Sequence, residues 1–110
     1  MHLLVAVVHH EELLDEVLSA LVELELSDCV VVETRTGLEL LERDLPIFAG
    51  LRSLIPGGID FSRLVLCLIE DGRLGEEALQ AVARLGNDTA HPGEPRNSVF
   101  LVPVTAFEHF

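Results

Sequence analysis

Three arginines are the side chains in this sequence best suited to binding a small anion. Arg35, Arg63 and Arg96 all fall at predicted strand ends or in a loop. A guanidinium offers paired N–H donors that match a phosphate or a carboxylate. We therefore predict that at least one of them contacts an anionic ligand. The alternative is that they are solvated charges, paired with acids such as Glu33, Glu39 or Glu42.

The loop 89–97 is a second place where an anion could bind. It contains two prolines and Gly93. A glycine adopts backbone angles that other residues avoid, and a loop built this way can turn several N–H groups toward one anion. An ordinary proline-rich connection is the competing interpretation.

The histidines could bind a transition metal, because imidazole is a common ligand of such ions. His9 and His10 are adjacent, and the remaining three are His2, His91 and His109. Their spacing matches no recognisable ligand pattern. Solvent-facing histidines at strand ends are therefore the alternative.

The sequence contains no recognisable catalytic group. No serine or cysteine can be placed beside a histidine and an acid from the sequence. The acidic pairs Glu11-Glu12 and Glu76-Glu77 fall in the first turns of predicted helices. Negative charge there stabilises the helix dipole, so general acid–base catalysis is not needed to explain them. We predict that the protein is not an enzyme.

The overall charge and composition limit the partners and the compartment. The formal net charge is −12, with 19 acidic residues against seven basic ones. Nucleic acid and anionic membranes need clustered cations, so we predict neither as a partner. No run of 18 apolar residues is present, and the N-terminus lacks the pattern of a signal peptide. Cys29 and Cys67 are predicted to be reduced, buried thiols in a cytoplasmic protein, with a redox role as the alternative.

Hydrophobic periodicity predicts four strands and two main helices in a single domain spanning residues 1–110. The first strand, Leu3–Val8, is apolar without interruption. The other strands are predicted at 29–36, 63–70 and 98–105, and the helices at 11–26 and 75–85. Two right-handed crossovers then give an α+β, ferredoxin-like βαββαβ sandwich with a four-stranded antiparallel sheet in the order 4-1-3-2.

An excursion of about 25 residues, 38–62, separates strands two and three, where a hairpin would need only a few. Within it we predict a helical insertion, a short amphipathic helix at 45–55, because Asp44 can cap it and Pro46 fits its first turn. An apolar stripe on this helix could bind a groove in a partner protein, or it could pack on its own or a neighbouring subunit. The stripe consists of Ile47, Phe48, Leu51, Leu54 and Ile55.

Two helices can cover only one face of such a sheet. The other face also carries apolar side chains from strands one, three and four, and a soluble monomer rarely exposes that much apolar surface. We therefore predict that copies of the chain associate through this face as a trimer or a dimer. The alternative is that the 45–55 helix covers it within one chain.

This pattern resembles the PII signal-transduction proteins, the nitrogen-regulatory family and its relatives. The resemblance covers nearly the whole chain and rests on the βαββαβ order, the strand from Val30 to Thr36, and a long excursion where that family has its T-loop. Gly37 matches a glycine at the base of that loop, and residues 86–97 correspond to the family's B-loop. The sequence has no tyrosine and no lysine, so the tyrosine modified in some T-loops and the ligand-binding lysines of the family have no counterpart.

The resemblance implies a cytoplasmic homotrimer that regulates a transporter or an enzyme. It implies a small anionic effector, such as an adenine nucleotide, bound in clefts between subunits, and contact with the target through residues 38–60. The effector-binding residues are then predicted to be Arg35, Gly37, Arg63, Gly93 and Arg96. Two alternatives remain open: a metal-binding trimer similar to the CutA family, and a small enzyme built on a dimeric ferredoxin-like barrel.

Overall fold

Six regular elements make up the described part of the protein. The computed structural model describes residues 1–35, 37, 40–41 and 61–110. The elements are β1 (His2–Val8), α1 (Glu11–Glu23), β2 (Cys29–Glu33), β3 (Arg63–Ile69), α2 (Gly72–Thr89) and β4 (Ser98–Pro103). The predicted helix at 45–55 lies outside the described residues.

The four strands form one antiparallel sheet in the order β2-β3-β1-β4. The two most apolar strands, β1 and β3, therefore lie in the centre. Read from the β4 edge, the order is 4-1-3-2. Pro103 ends β4 on this edge, where a missing N–H is tolerated. The predicted α+β class, with a four-stranded antiparallel sheet and two helices, is confirmed.

Both helices pack on the same face of the sheet. Alternate residues of β1 and β3 point to this side and are buried against α1 and α2. The resulting core consists of Leu4, Ala6, Val8, Leu13, Val17, Leu21, Val65, Cys67, Ile69, Ala78 and Val82. Full burial of one Leu or Val stabilises the fold by about 1.5–3 kcal/mol. This cluster therefore fixes the positions of both helices on the sheet.

The opposite face of the sheet, which we call the open face, is apolar as well. The strand register gives it the side chains of Leu3, Val5, Val7, Val30, Val32, Leu64, Leu66, Leu68, Phe100 and Val102. Toward the two edges, Val30 is 57% exposed and Phe100 is 45% exposed. Because α1 and α2 lie on the other side, neither of these helices covers the open face.

The end of α1 differs from the prediction. The apolar pattern extends to residue 26, but the helix ends at Glu23. Glu25 takes a φ of 63°, and the chain then closes the helix with two hydrogen bonds. The N–H of Leu26 donates to the carbonyl of Leu21 at 2.9 Å, and that of Glu25 donates to Val22 at 2.9 Å. Helices commonly end this way at a glycine, and no glycine is present to predict it.

The second helix, α2, is longer at both ends than the predicted 75–85. At its start, the Asp71 carboxylate caps the helix by accepting from the backbone N–H of Arg73 at 2.9 Å. The predicted end at residue 85 was wrong, because the helix continues through Gly86 to Thr89. Ala90 caps the end of the helix, and the next residue, His91, precedes Pro92 and is therefore disfavoured in helical geometry.

The strand ends are also shorter than predicted. β2 ends at Glu33 rather than residue 36, because its partner β3 begins opposite it at Arg63. β3 ends at Ile69 rather than residue 70. β4 ends at Pro103 rather than Thr105, although the N–H of Val104 still donates to the carbonyl of Met1 at 3.1 Å.

Candidate functional site

The predicted effector-binding residues lie at or near one end of the sheet. Arg63 begins β3 and pairs both with Val8, the last residue of β1, and with Glu33, the last residue of β2. β4 begins at this same end, two residues after Arg96. Arg35 follows β2 here as well. The five predicted residues are Arg35, Gly37, Arg63, Gly93 and Arg96.

The strand order divides these residues into two groups. Arg35 follows the edge strand β2, and Arg63 begins the neighbouring strand β3. Gly93 and Arg96 precede β4, which is the opposite edge. Strands are spaced by about 4.8 Å, so β2 and β4 are roughly 14 Å apart. The structure therefore brings the predicted residues to the same end of the sheet, but not around one point within a subunit.

Arg63 is already engaged by its neighbours. Its Nη1 donates to the carbonyl of Ser62 at 2.9 Å, and its Nη2 lies 3.2 Å from Oε1 of Glu33. The guanidinium also stacks over the ring of Phe61, 4.5 Å from the ring centre. Pairing with Glu33 is the alternative that the sequence left open. Since the Glu33 side chain is largely exposed, this ion pair contributes only about 0–1 kcal/mol, and an anion can compete for the guanidinium.

The two predicted glycines behave differently. Gly93 takes a φ of 85°, in the left-handed region that favours glycine. Gly93 therefore adopts a backbone conformation of the kind expected for it. Its contact with an effector remains a prediction. Gly37 is exposed, and a Cβ built on it meets no atom within 4 Å among the described residues. Its surroundings in this part of the chain do not require a glycine.

A hydrogen-bonded group that the sequence did not predict ties the start of α1 to the loop before β4. The Nε2 atom of His10 lies 2.7 Å from Oε2 of Glu94. The side-chain amide of Asn97 accepts from the backbone N–H of His9 at 2.8 Å and donates toward Nδ1 of His10 at 3.3 Å. These contacts fit an imidazole with its proton on Nε2. We call His10, Glu94 and Asn97 the latch.

The latch lies beside a cavity of about 630 Å³. The cavity is enclosed by β1, α1, α2, the loop 90–97 and the start of β4. Its floor is apolar and comes from the core, with Ala6, Val8, Leu13, Val17 and Val82. Its rim is polar and comes mainly from the loop, with Asn87, His91, Glu94, Arg96 and Asn97. The only sequence signals near this cavity were Gly93 and Arg96, because the latch joins residues far apart in the chain.

His9 lies at the same end of the sheet, and the pKa of its imidazole is shifted. Burial lowers its pKa below the ordinary value of 6.5, and the electrostatic effect of the neighbouring His10 ring acts in the same direction. A hydrogen bond with the backbone of Phe61 opposes this shift. The lowered pKa favours a neutral imidazole near neutral pH.

The two cysteines are cross-strand neighbours on the helix-covered face. Cys29 pairs directly with Cys67, and both are free thiols. Cys67 is buried as predicted, but Cys29 is only half-buried, because it begins an edge strand. Burial and the hydrogen bond with Cys29 raise the pKa of Cys67 to about 12. A thiol in this state is a poor nucleophile.

Residues 1–35 and 61–110 contain no group of three or more His, Cys, Asp or Glu side chains placed to hold a metal ion. In the same part of the chain, no helix has the length and apolar character needed to cross a membrane. The predicted partner-binding residues lie outside the described residues; they are Ile47, Phe48, Leu51, Leu54 and Ile55.

The fold and site define a small α+β domain with an apolar open face and a cavity beside one end of its sheet. Comparison with protein-family models gives no match, and comparison with curated proteins gives none either.

Proposed function

We propose that this chain is a cytoplasmic, PII-like regulatory protein with a ferredoxin-like βαββαβ fold, which associates with copies of itself and binds a small anionic effector. The open face is the single observation that carries this proposal. Ten apolar side chains line it, and those at its edges are substantially exposed. A soluble monomer rarely exposes a continuous apolar surface of this kind. Packing sheet against sheet between copies would bury it.

A closed trimer also explains how the two groups of effector residues could act together. In a ring of identical subunits, one surface of each subunit meets a different surface of the next. The β2 edge of one sheet can then approach the β4 edge of its neighbour. Arg35 and Arg63 of one subunit would face Gly93 and Arg96 of the next across a cleft. An adenine nucleotide is the candidate effector, and paired guanidinium donors suit its phosphates.

The signal would pass to a protein target through residues 38–60. The chain leaves the sheet after Glu33 and returns to it at Arg63, at the same end as the predicted effector residues. An effector bound at this end would therefore touch the base of the excursion. The target is proposed to be a transporter or an enzyme, and the protein itself would carry out no catalysis.

Thermal unfolding in the presence of nucleotides tests the effector. Millimolar ATP, ADP, AMP or cyclic AMP should raise the melting temperature of the wild-type protein, because a ligand that binds only the folded state stabilises it. Arg35→Gln and Arg96→Gln should both reduce the shift, since they supply opposite sides of the cleft. Arg84→Gln is the matched control, because Arg84 is exposed on α2. A protein that no nucleotide stabilises, but that copper or zinc does, would instead favour the metal-binding alternative.

A further inference from the structure

Cys29 and Cys67 occupy the kind of position at which an antiparallel sheet brings two side chains closest together. The two residues are direct partners in the ladder between β2 and β3. Continued by one residue beyond the end of β2, this register places Thr34 opposite Ser62, and the N–H of Thr34 donates to the carbonyl of Ser62 at 3.3 Å. Hydrogen-bonded and non-hydrogen-bonded pairs alternate along such a ladder. Because Cys29 is an odd number of residues from Thr34, the cysteines form a non-hydrogen-bonded pair.

The spacing of such a pair fits a disulfide. The Cα atoms of a non-hydrogen-bonded pair are about 4.5 Å apart, and disulfides join Cα atoms separated by about 4.4–6.8 Å. Both side chains lie on the helix-covered face, because Cys67 belongs to the buried core and Cys29 packs against that core. After burial, the Cys29 thiol is the next cause of the raised pKa of Cys67. The two thiols are therefore neighbours in the reduced protein, and a bond between them does not change the strand register.

The two thiols differ in their access to solvent. Cys67 lies on the central strand β3 and is 1% exposed. Cys29 is half-buried at the start of the edge strand β2, and its thiol donates to the carbonyl of Leu26 at 3.2 Å. A small oxidant therefore meets Cys29 first. Cys67 needs to reach only its cross-strand partner.

From this placement we propose that Cys29 and Cys67 form a redox-active dithiol site, at which a hydroperoxide drives the formation of a cross-strand disulfide. The thiolate of Cys29 attacks one peroxide oxygen and becomes a sulfenic acid, and the other oxygen leaves and takes up the proton that Cys29 has lost. The sulfur of Cys67 then attacks the sulfur of Cys29. The sulfenic oxygen leaves as water together with the proton of the Cys67 thiol. Two thiols are oxidised and one O–O bond is reduced.

The raised pKa of Cys67 suits the second step of this sequence rather than the first. A buried thiol of high pKa does not react with reagents in solution. Oxidation of Cys29 removes the neighbouring thiol that helps to raise this pKa. The sulfenic acid is then held beside Cys67, and reaction between two groups held together in this way is strongly favoured over reaction in solution. A dithiol reductant reverses the bond by thiol–disulfide exchange.

The disulfide would fix the edge strand to the centre of the sheet. It closes a covalent ring that contains residues 30–66, and with them the whole excursion 38–62. It lies on the helix-covered face, and Cys67 is four residues along β3 from Arg63. The site is therefore separate from the open face and from the end of the sheet that carries the predicted effector residues. It goes beyond the proposed regulatory role and does not rest on it.

Oxidation of the full wild-type chain with hydrogen peroxide tests the site. The remaining thiols are alkylated after unfolding, and the product is analysed by mass spectrometry without reduction. The chain should lose two hydrogen atoms and take up no alkyl group, and peptide mapping should join Cys29 to Cys67 within one chain. The oxidised protein should melt about 5–15 °C above the reduced protein, because the bond closes a long loop in the unfolded chain. Dithiothreitol should restore both thiols and the original melting temperature.

Three variants test the order of the chemistry and the register. Cys67→Ala should stop at the sulfenic acid of Cys29, which dimedone traps, whereas Cys29→Ala should leave Cys67 reduced. In the matched control, Cys29→Val is combined with Val30→Cys, which moves the thiol by one residue to the open face with the same composition. No bond to Cys67 should then form, because successive residues of a strand point to opposite faces. Circular dichroism checks that each variant is folded.

The proposal is overturned if both thiols of the peroxide-treated wild type can still be alkylated. It is also overturned if the peroxide joins Cys29 of two copies instead, or if the matched control bonds to Cys67 as readily as the wild type does. None of these measurements depends on nucleotide binding or on the molar mass of the protein, so failure of this proposal and failure of the regulatory proposal are distinguishable.

Discussion

The Nε2 atom of His10 lies 2.7 Å from Oε2 of Glu94, although 84 residues separate the two along the chain. This contact joins the residue that precedes α1 to the loop that leads into β4. Asn97 strengthens it from the same loop by bonding both to the backbone of His9 and to the ring of His10. The loop that carries Gly93 and Arg96 is therefore held to the core of the domain rather than only to its own flanking elements.

Removing the latch should release this loop. His10→Ala leaves Glu94 and Asn97 without their common partner, and we expect a loss of about 1 kcal/mol in the free energy of unfolding. Amide hydrogen exchange should accelerate over residues 90–97 and much less in β3. Glu94→Gln is the matched control, because an amide oxygen can still accept from the imidazole. Unchanged exchange in His10→Ala would mean that the loop is held by other contacts.

The ionisation of His9 should make the protein sensitive to acid. Its pKa is lowered in the folded state, so the unfolded chain binds the proton more readily. The stability that the neutral imidazole contributes is therefore complete above the unfolded value of about 6.5 and is lost as the pH falls below it toward the lowered folded value. Between about pH 7.5 and about pH 5.5, the wild-type protein should lose more stability than His9→Gln.

Chemical denaturation at the two pH values measures this difference directly. His91→Gln is the control, because His91 is exposed on the loop before β4. The carboxylates of the chain titrate in all three proteins, so only the difference between the variants is informative. Equal pH dependence in wild type and His9→Gln would contradict the account of His9.

The thiol of Cys67 should be inert in the folded protein. Its pKa is raised to about 12, and the side chain is buried. At about pH 8 almost none of it is thiolate, which is the reactive form. Iodoacetamide should therefore modify Cys29 before Cys67, and it should modify Cys67 only when the chain is unfolded. Mass spectrometry of Cys29→Ala, which carries Cys67 alone, tests this; rapid labelling of that variant under native conditions would contradict it.

The left-handed conformation of Glu25 offers a stabilising substitution. A residue with a side chain is strained at a φ of 63°, and glycine is not. Glu25→Gly should raise the free energy of unfolding by about 1 kcal/mol, because relief of the left-handed strain, about 1–2 kcal/mol, outweighs the extra backbone entropy that glycine loses on folding. Glu23→Gly, in the last helical position of α1, should instead lower it by about 1 kcal/mol. Thermal or denaturant unfolding measures the stability of both variants. If Glu25→Gly is less stable than the wild type, the Glu25 side chain makes a contact that compensates for the strain.

The sequence predicts the architecture better than the site. The uninterrupted apolar runs of β1 and β3 require cover on both faces, and this places both strands in the centre of the sheet. The ion pair between Arg63 and Glu33 fits one of the two alternatives for the arginines, which was that they pair with nearby acids such as Glu33, Glu39 or Glu42. The end of α1 was not predictable, because Glu25 occupies a position where glycine is the usual signal. The latch was not predictable either, since no local pattern indicates a contact across 84 residues.

Introducing a single charge tests whether the open face is the interface between copies of the chain. Phe100→Asp places a carboxylate in the middle of the apolar surface of β4, and burying it between copies would cost several kcal/mol. We expect this variant to be a monomer, or to form an oligomer that dissociates at a much higher protein concentration than the wild-type oligomer does. Val22→Asp is the matched control, because Val22 is an exposed valine on α1, away from the sheet. If Phe100→Asp sediments like the wild type, the open face is not the interface.

The molar mass of the wild-type protein in solution, measured by light scattering or sedimentation equilibrium, tests the proposed regulatory role most directly. The account predicts a stable trimer with about three times the monomer mass of 12.1 kDa. A dimer would favour the barrel enzyme that the sequence left as an alternative. A single species of 12.1 kDa at all concentrations would contradict the central claim, because the open face would then be satisfied without a second copy.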